Sequence, residues 1–563
     1  MADENSAKKN ILFIMFDQLR FDYLSCTGHP HLKTPNIDRL ADKAVRFSNC
    51  YVQSPICGAS RMSFYTGRYV SSHGAAWNNI PLKVGEVTLG DHLRDQGMDA
   101  YLIGKTHMKV DARGMARFGL TPDSVIGTRV SECGFDAIIR DDGLWGEGPD
   151  GWYDDKPSPY QDYLHEKGYK GANPWHDYAN SGVDENGDIA SGWLYANAIC
   201  PANIREEDSE TPWLTQQAIK FIDQRRQNAR HDTPWCCHLS YIKPHWPYIV
   251  PAPYHNMYGQ DDFLPVVRHE DELKDPHPIY AAFAGNKIGQ AFRRDDVRHA
   301  SLTAYMGLIK QIDDQMGILF GYLEETGQMD NTMIVITSDH GDYMGDHWLG
   351  EKDLFHNPSV KVPLIIYDPS PEADATRGRV INNLVETIDL AATFVEFAGG
   401  DVPDEIIEGK SLLPWIYGNT PQQWRHYVIS EYDYSMSAMA NQLNVSPSDA
   451  RLFMLATPSW KMIHAEGGFP PMLFDLENDP DELHDLGRDE GYAHIIEACY
   501  AKLHEWAMRP SQRTTLSHQD LLKGRTKSGR KGIILGAVTE ADVSADAMAI
   551  YQGKALQNHI SEE

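Results

Sequence analysis

The chain alternates short, wholly apolar runs with longer stretches in which apolar residues recur at every third or fourth position. Lys9–Phe16 (Lys-Asn-Ile-Leu-Phe-Ile-Met-Phe), Thr332–Thr337 and Val362–Tyr367 are runs of the first kind. Each is short, nearly continuous in apolar residues and followed by a polar or charged one, so each reads as a strand covered on both faces. From about 300 to 325, Leu302, Tyr305, Met306, Ile309, Ile312, Met316, Leu319 and Leu323 keep helical spacing, and Gly327 is a suitable stop. A shorter helix opens at Thr34-Pro35, with Thr34 as cap and Ile37, Leu40, Ala41 and Ala44 on one face. Another falls near 387–398. Strand and helix in alternation predict an α/β fold: a large, mostly parallel mixed sheet sandwiched by helices.

After about residue 420 the pattern changes. Short strands at 426–432, 452–456, 460–464 and 472–476, followed by a helix at 492–508, predict a smaller C-terminal antiparallel α+β subdomain. The expected organisation is a large α/β domain over 1–420, this subdomain over 421–510, and a polar segment over 511–563. That last segment carries Lys523, Arg525, Lys527, Arg530 and Lys531. It reads either as a solvated tail or as an arm docking a second subunit, and on the latter reading the protein is a homo-oligomer, a dimer or a tetramer.

Composition removes several classes of function. With 563 residues, 42% hydrophobic and 10% aromatic, the chain has ample material for a core. Its 80 acidic against 51 basic side chains give a net charge of −29, which argues against a nucleic-acid binder and against a polybasic membrane binder. The first apolar run, Ile11–Phe16, is too short for a signal peptide or a membrane span. Eight cysteines without a C-x-x-C pair read as reduced thiols, so a cytoplasmic location is expected.

The chemistry concentrates where apolar runs end. Asp17-Gln18 follows the first strand and Asp339-His340-Gly341-Asp342 a later one, and ligands of open α/β sheets bind beyond such strand ends. Two carboxylates, an amide oxygen and an imidazole suit a divalent cation, Ca²⁺ first and Mn²⁺ or Mg²⁺ as alternatives. An Asp after a strand ordinarily caps a helix or closes a turn, so either pair alone would carry little. Between them, Ser54–Arg68 (Ser-Pro-Ile-Cys-Gly-Ala-Ser-Arg-Met-Ser-Phe-Tyr-Thr-Gly-Arg) puts Cys57 at the start of a predicted helix ending near Gly67. Amide N–H groups favour negative charge there, and Arg61, one turn on, can point back at the same place.

Cys57-Gly-Ala-Ser-Arg61 with Thr66-Gly67-Arg68 resembles the sulfatase signature. Thr34-Pro-Asn-Ile-Asp-Arg-Leu-Ala41, Gly104-Lys-Thr-His107, Thr337-Ser-Asp-His-Gly341, Glu408-Gly-Lys-Ser-Leu-Leu-Pro414 and Leu473-Phe-Asp-Leu-Glu-Asn-Asp-Pro480 match in order. The resemblance spans roughly 8–510 and points to the arylsulfatase and phosphonate monoester hydrolase branch of the alkaline phosphatase superfamily. It implies an alkaline phosphatase-like sheet and one divalent ion held by Asp17, Gln18, Cys57, Asp339 and His340. It also implies oxidation of Cys57 to formylglycine by a formylglycine-generating enzyme. The aldehyde hydrate would attack a small anionic ester and form a covalent sulfo-enzyme hemiacetal. Arg61 then matches the residue that steadies the nucleophile, and Lys105 and Lys352 match lysines on the transferred group. His107 would take the hydrate's second proton, and His245 would protonate the leaving group. Asn78, or alternatively Asn79, would add a hydrogen bond. Family-free, Lys105 and Lys352 would be surface lysines, His245 a loop filler between prolines, and Trp77 and Trp246 core or rim packing.

Two positions depart from the pattern. Ala59 stands where proline is commonest, which bears on recognition by the converting enzyme. Lys105 and His107 stand where the phosphonate monoester hydrolases carry Tyr and Thr. The Lys-x-His pair favours sulfate monoesters, in particular aryl sulfates, with promiscuity toward phosphonate monoesters and phosphodiesters expected. The alternatives are a phosphonate monoester hydrolase or phosphodiesterase with the same site, and a non-catalytic anion binder with Cys57 unconverted. A two-metal phosphomonoesterase would want a second carboxylate/His set that the sequence does not offer.

Overall fold

In the computed structural model, residues 9–78, 80–121, 124–143, 158–227, 233–510, 516–525, 538–545 and 548–549 are described. In chain order the strands of the first part are β1 (Asn10–Asp17), β2 (Val45–Tyr51), β3 (Asp99–Gly104), β4 (Asp136–Arg140), the small hairpin β5 (Ser181–Val183) and β6 (Ile189–Ser191), β7 (Trp235–Pro244), β8 (Thr332–Ser338), β9 (Lys361–Tyr367) and β10 (Val380–Glu386). Eight of them form one sheet in the order β10-β2-β9-β8-β1-β7-β3-β4. β1 lies at its centre, parallel to β7 and to β8, with Ile14 opposite Leu239 and Ile336. Only β9 runs against its neighbours β2 and β8. The sheet is therefore mixed and mostly parallel.

Side-chain alternation along β1 explains why it reads as a continuous apolar run. Ile11, Phe13 and Met15 enter one core, while Leu12, Ile14 and Phe16 enter the core on the other face. The first core is closed by the helix Cys57–Thr66 through Met62 and Phe64 and by the helix Asp389–Phe397 through Leu390 and Phe394. The second is closed by Asp295–Glu325 through Ile309, Ile312 and Met316. This long helix stops before Gly327, whose φ of +70° suits a residue without a Cβ.

The helix Pro35–Ala41 forms as expected, but Thr34 does not cap it. Its hydroxyl is engaged by Ser25 and Asp38, and the free amide N–H groups of Asn36 and Ile37 instead donate to Asp313 Oδ1 at 3.0 and 2.9 Å. A buried carboxylate from the long helix outcompetes the local hydroxyl for these amides.

Beyond residue 420, β11 (Val428–Asp433), β12 (Arg451–Ala456), β13 (Trp460–Ala465) and β14 (Met472–Asp475) make an antiparallel meander, followed by the helix Ala493–Ala507. Both sheets belong to one compact unit that takes in Ile407–Arg509; Pro403–Ile406 and the residues from Pro510 cluster separately. In the latter segment a helix covers His518–Arg525, while Lys527, Arg530 and Lys531 lie outside the described residues. No described helix is long and apolar enough to cross a membrane.

Candidate active site

The sheet brings four strand ends to one edge. Asp17 closes β1, Lys105 follows β3, His245 follows β7, and Asp339 follows β8. Cys57 reaches them as the first residue of its buried helix, 1% exposed, with Ile56 in extended conformation before it. Its Sγ lies 3.0 Å from His340 Nε2, 3.0 Å from Lys352 Nζ and 3.9 Å from Asp17 Oδ1.

Arg61, fully buried one helical turn on, ties the two strand-end carboxylates together. Nε donates to Asp339 Oδ2 at 2.7 Å and Nη2 to Asp17 Oδ2 at 3.2 Å. Nη1 reaches Lys105 O at 2.9 Å and Ser240 Oγ at 2.8 Å. Asp17 Oδ2 also meets Lys105 Nζ at 2.6 Å. Burial would raise the Asp17 carboxyl, but the Lys105 and Arg61 charges hold it well below the usual range. Burial and Asp17 push the Cys57 thiol up, yet Lys352, His340 and Lys105 outweigh them and lower it.

Gln18 sits at φ +68°, and its amide N donates to Asp339 Oδ1 at 3.1 Å. Its side-chain Nε2 donates to Asp342 Oδ2 and Tyr248 Oη at 2.5 and 3.1 Å, so Oε1 faces Lys352 Nζ at 3.2 Å. Asp342 and Tyr248 thereby set which end of the amide points into the site. His340 is oriented in the same manner: Nδ1 bonds Gly341 O at 2.9 Å, so Nε2 is the ring nitrogen turned toward Cys57 and Asp17. One donor atom each from Asp17, Cys57, Asp339 and His340 falls within 4.8 Å of the others, all buried. Two carboxylates, an imidazole nitrogen and an amide oxygen form a donor set that fits a divalent cation.

Above this cluster opens a cleft of about 350 Å³ reaching from Cys57 to a wall of tryptophans. Lys105 is buried, and Lys352 bridges Cys57, Gln18 and His245 (Nζ to Nε2, 3.2 Å). Neither is a surface lysine. His245 Nδ1 bonds Trp246 O at 2.7 Å, and burial followed by the Lys352 charge holds the ring neutral. His107 lies at φ +56°, its amide and that of Thr106 held by Asp142 Oδ1 at 2.8 and 3.0 Å; burial and Lys105 keep its ring neutral as well. Asn78 Oδ1 accepts from Gly58 N at 2.8 Å, so it anchors the Cys57 helix start, and its side chain also lines the cleft. Asn79 lies outside the described residues. His73 bonds Ser63 Oγ at 2.9 Å in the core.

Trp77 and Trp246 line the cleft together with Trp175 and Trp193. The last two, like Asp142, Tyr248 and Glu351, are not marked by any local pattern. Glu351 accepts from Tyr195 Oη at 2.7 Å, and burial, against the pull of Lys352, pushes its carboxyl up to about 7. The folded state then binds this proton more tightly than the unfolded chain, so stability falls as pH rises from about 4.5 to about 7. Glu351→Gln keeps the Tyr195 acceptor and is expected to recover about 2 kcal/mol at pH 8, discounted for partial exposure, and nothing at pH 4. Denaturant unfolding of both proteins at the two pH values measures this.

Known proteins resemble the chain over most of its length. The profile described as Sulfatase matches residues 9–400, and that of the N-sulphoglucosamine sulphohydrolase C-terminal region matches 345–509. The chain is similar to the multifunctional alkaline phosphatase superfamily protein PehA of Trinickia caryophylli, with 30% identity over 547 residues, 92% of this chain and 99% of that one. It is similar to an arylsulfatase of Clostridium perfringens, 29% identical over 513 residues, 87% of this chain and 92% of the other. Among solved structures, the phosphonate monoester hydrolase SpPMH from Silicibacter pomeroyi superposes with a TM-score of 0.78 at 26% identity, covering 91% of this chain and 98% of that one.

Proposed function

The chain belongs to the sulfatase family, and we propose that it hydrolyses sulfate monoesters, aryl sulfates first, with residue 57 as nucleophile after oxidation of Cys57 to formylglycine. The observation that supports this most is the position of Cys57 Sγ: at a buried helix start, 3.0 Å from both His340 Nε2 and Lys352 Nζ, beside two carboxylates.

Asp17, Gln18, Asp339 and His340 would hold a divalent ion against residue 57; bound there, it would supply positive charge that favours the ionised nucleophile and the ester's oxygens. Arg61 keeps Asp17 and Asp339 aligned. Lys105 and Lys352 carry the positive charge that receives the transferred group in a water-poor cleft. His107, neutral, is suited to accept a proton at the residue-57 side. His245 has Nδ1 committed to Trp246 O, so the proton it gives to the leaving oxygen is carried on Nε2. Burial and Lys352 oppose that charge, and the negative charge of a bound ester counteracts both.

Loss of the ion is expected to be readable directly. Asp339→Asn should lower the metal content of purified protein well below one ion per chain, measured by elemental analysis, with hydrolysis lost in parallel.

The second reading, a phosphonate monoester hydrolase, draws on the similarity to SpPMH and to PehA. Lys105 and His107 favour the first, because a transferred sulfuryl group presents three non-bridging oxygens to such side chains where a phosphonate monoester, also a monoanion, presents two. Steady-state rates on 4-nitrophenyl sulfate and on a phenylphosphonate monoester decide between them. A higher kcat/KM on the sulfate is expected, and a clear preference for the phosphonate would reverse the assignment.

A further inference from the structure

The C-terminal sheet reaches the cleft through three buried side chains. Tyr432 on β11, Lys461 on β13 and Glu482 in the turns after β14 are 1%, 0% and 2% exposed. Tyr432 Oη donates to Asp353 Oδ1 at 2.9 Å. Lys461 Nζ donates to Phe355 O at 2.8 Å and to Asn357 Oδ1 at 3.0 Å. Glu482 Oε2 accepts from Asn357 N at 2.7 Å, and Lys461 and Glu482 form an ion pair at 2.5 Å. Residues 353, 355 and 357, the stretch directly after Lys352, are thus each held by the small sheet or the turns that follow it.

β11 is itself anchored beside the site. Glu431 N donates to Gln53 O at 2.8 Å, four residues before Cys57, and Ile429 N donates to Glu386 Oε1 at 2.8 Å. The Tyr432 ring stacks on Trp77 at 5.5 Å with 14° between the planes. Trp77 precedes Asn78, which holds the start of the Cys57 helix at Gly58 N. One tyrosine therefore touches both the Lys352 loop and the segment that supports residue 57.

The backbone around Lys352 needs such support. Glu351 and Asp353, on either side of it, have φ of +56° and +108°, a region that side chains with a Cβ disfavour and keep only where neighbours fix them. Glu351 is fixed by Tyr195 Oη and Asp353 by Tyr432 Oη. Between these two ties, Lys352 Nζ arrives 3.0 Å from Cys57 Sγ and 3.2 Å from both Gln18 Oε1 and His245 Nε2. A long, flexible side chain serves a reacting centre only when its root is held in one place. We propose that Tyr432 is a positioning residue for Lys352: acting through Asp353, the small C-terminal sheet sets the path of the chain that delivers this amine to residue 57.

The inference rests on the proposed role of Lys352, and its test separates the two. Tyr432→Phe keeps the ring against Trp77 and removes only the hydroxyl; it should lower kcat/KM on 4-nitrophenyl sulfate about tenfold. Asp353→Asn keeps an acceptor at Oδ1 and should stay within about twofold. Asp353→Gly suits the +108° backbone but has no acceptor, and in that background Tyr432→Phe should cost less than a further twofold. Tyr434→Phe is the control, since its buried hydroxyl has no partner among the described residues, and it should change nothing. Trace acetylation of the intact protein with acetic anhydride, read by peptide mass spectrometry, is free of turnover. Lys352 should be labelled about fivefold faster in Tyr432→Phe, with the other lysines unchanged. Unchanged labelling of Lys352 would overturn the positioning role, as would fully multiplicative losses in Tyr432→Phe with Asp353→Gly or an equal loss in Tyr434→Phe. If neither sulfate nor phosphonate esters are hydrolysed while the labelling behaves as expected, the proposed activity fails and the positioning of Lys352 stands.

Discussion

Cys57→Ala is expected to lower kcat/KM by about four orders of magnitude while leaving the fold in place. The substitution removes the thiol that oxidation to formylglycine requires, so no aldehyde hydrate can form at residue 57. It deletes one small side chain that is 1% exposed, whose contacts are polar ones to His340, Lys352 and Asp17. The backbone at the helix start does not depend on it, since Gly58 N is held by Asn78 and Ser60 N by Ile56 O. Thermal melting should therefore stay within a few degrees of the native protein as turnover disappears. Undiminished turnover would mean that residue 57 is not the nucleophile.

The second large effect belongs to Arg61. Replacing it with leucine leaves Asp17 and Asp339, both fully buried, without the guanidinium that bridges them, and also frees Lys105 O and Ser240 Oγ. Breaking a buried ion pair from one side costs about 3–5 kcal/mol, because the partner charge stays behind uncompensated. A divalent ion between the same carboxylates would offset part of that. Arg61→Leu should consequently melt far below the native protein after chelation and recover part of the difference when the ion is restored. Arg61→Lys keeps the charge but not the fork that reaches both carboxylates, so it should fall between the two. Differential scanning calorimetry with and without chelator checks all three.

How much of this was legible in the sequence follows from the range of the interactions. β1, β8 and β9 could be read from their residues because burial on both faces leaves only apolar choices, and the long helix because its spacing repeats over many turns. β7 is just as buried, yet it carries His238, Ser240 and Lys243, which bond Tyr65, Arg61 and the 245–247 backbone. Polar side chains committed to such partners, the first two distant in sequence, leave the strand without an apolar run. The same reasoning separates the site residues. Asp17, Cys57, Arg61, Lys105, Asp339 and His340 lie in compact motifs at strand and helix ends. Asp342 and Tyr248, which orient Gln18, acquire that role only from tertiary pairing.

The net charge of −29 fits the same division of scale. Long-range repulsion between an acidic protein and an anionic ester is screened within about 8 Å at physiological salt. Inside the cleft the charges of Lys105 and Lys352 would act on an anion at short range, whatever the sum over the surface.

The account depends most on the chemical state of residue 57, and mass spectrometry of the peptide that contains it is the most direct measurement. In active protein from a host with the formylglycine-generating enzyme, the Cys57 thiol sulfur should be replaced by an aldehyde oxygen, in proportion to specific activity. A free cysteine throughout a fully active preparation would contradict it.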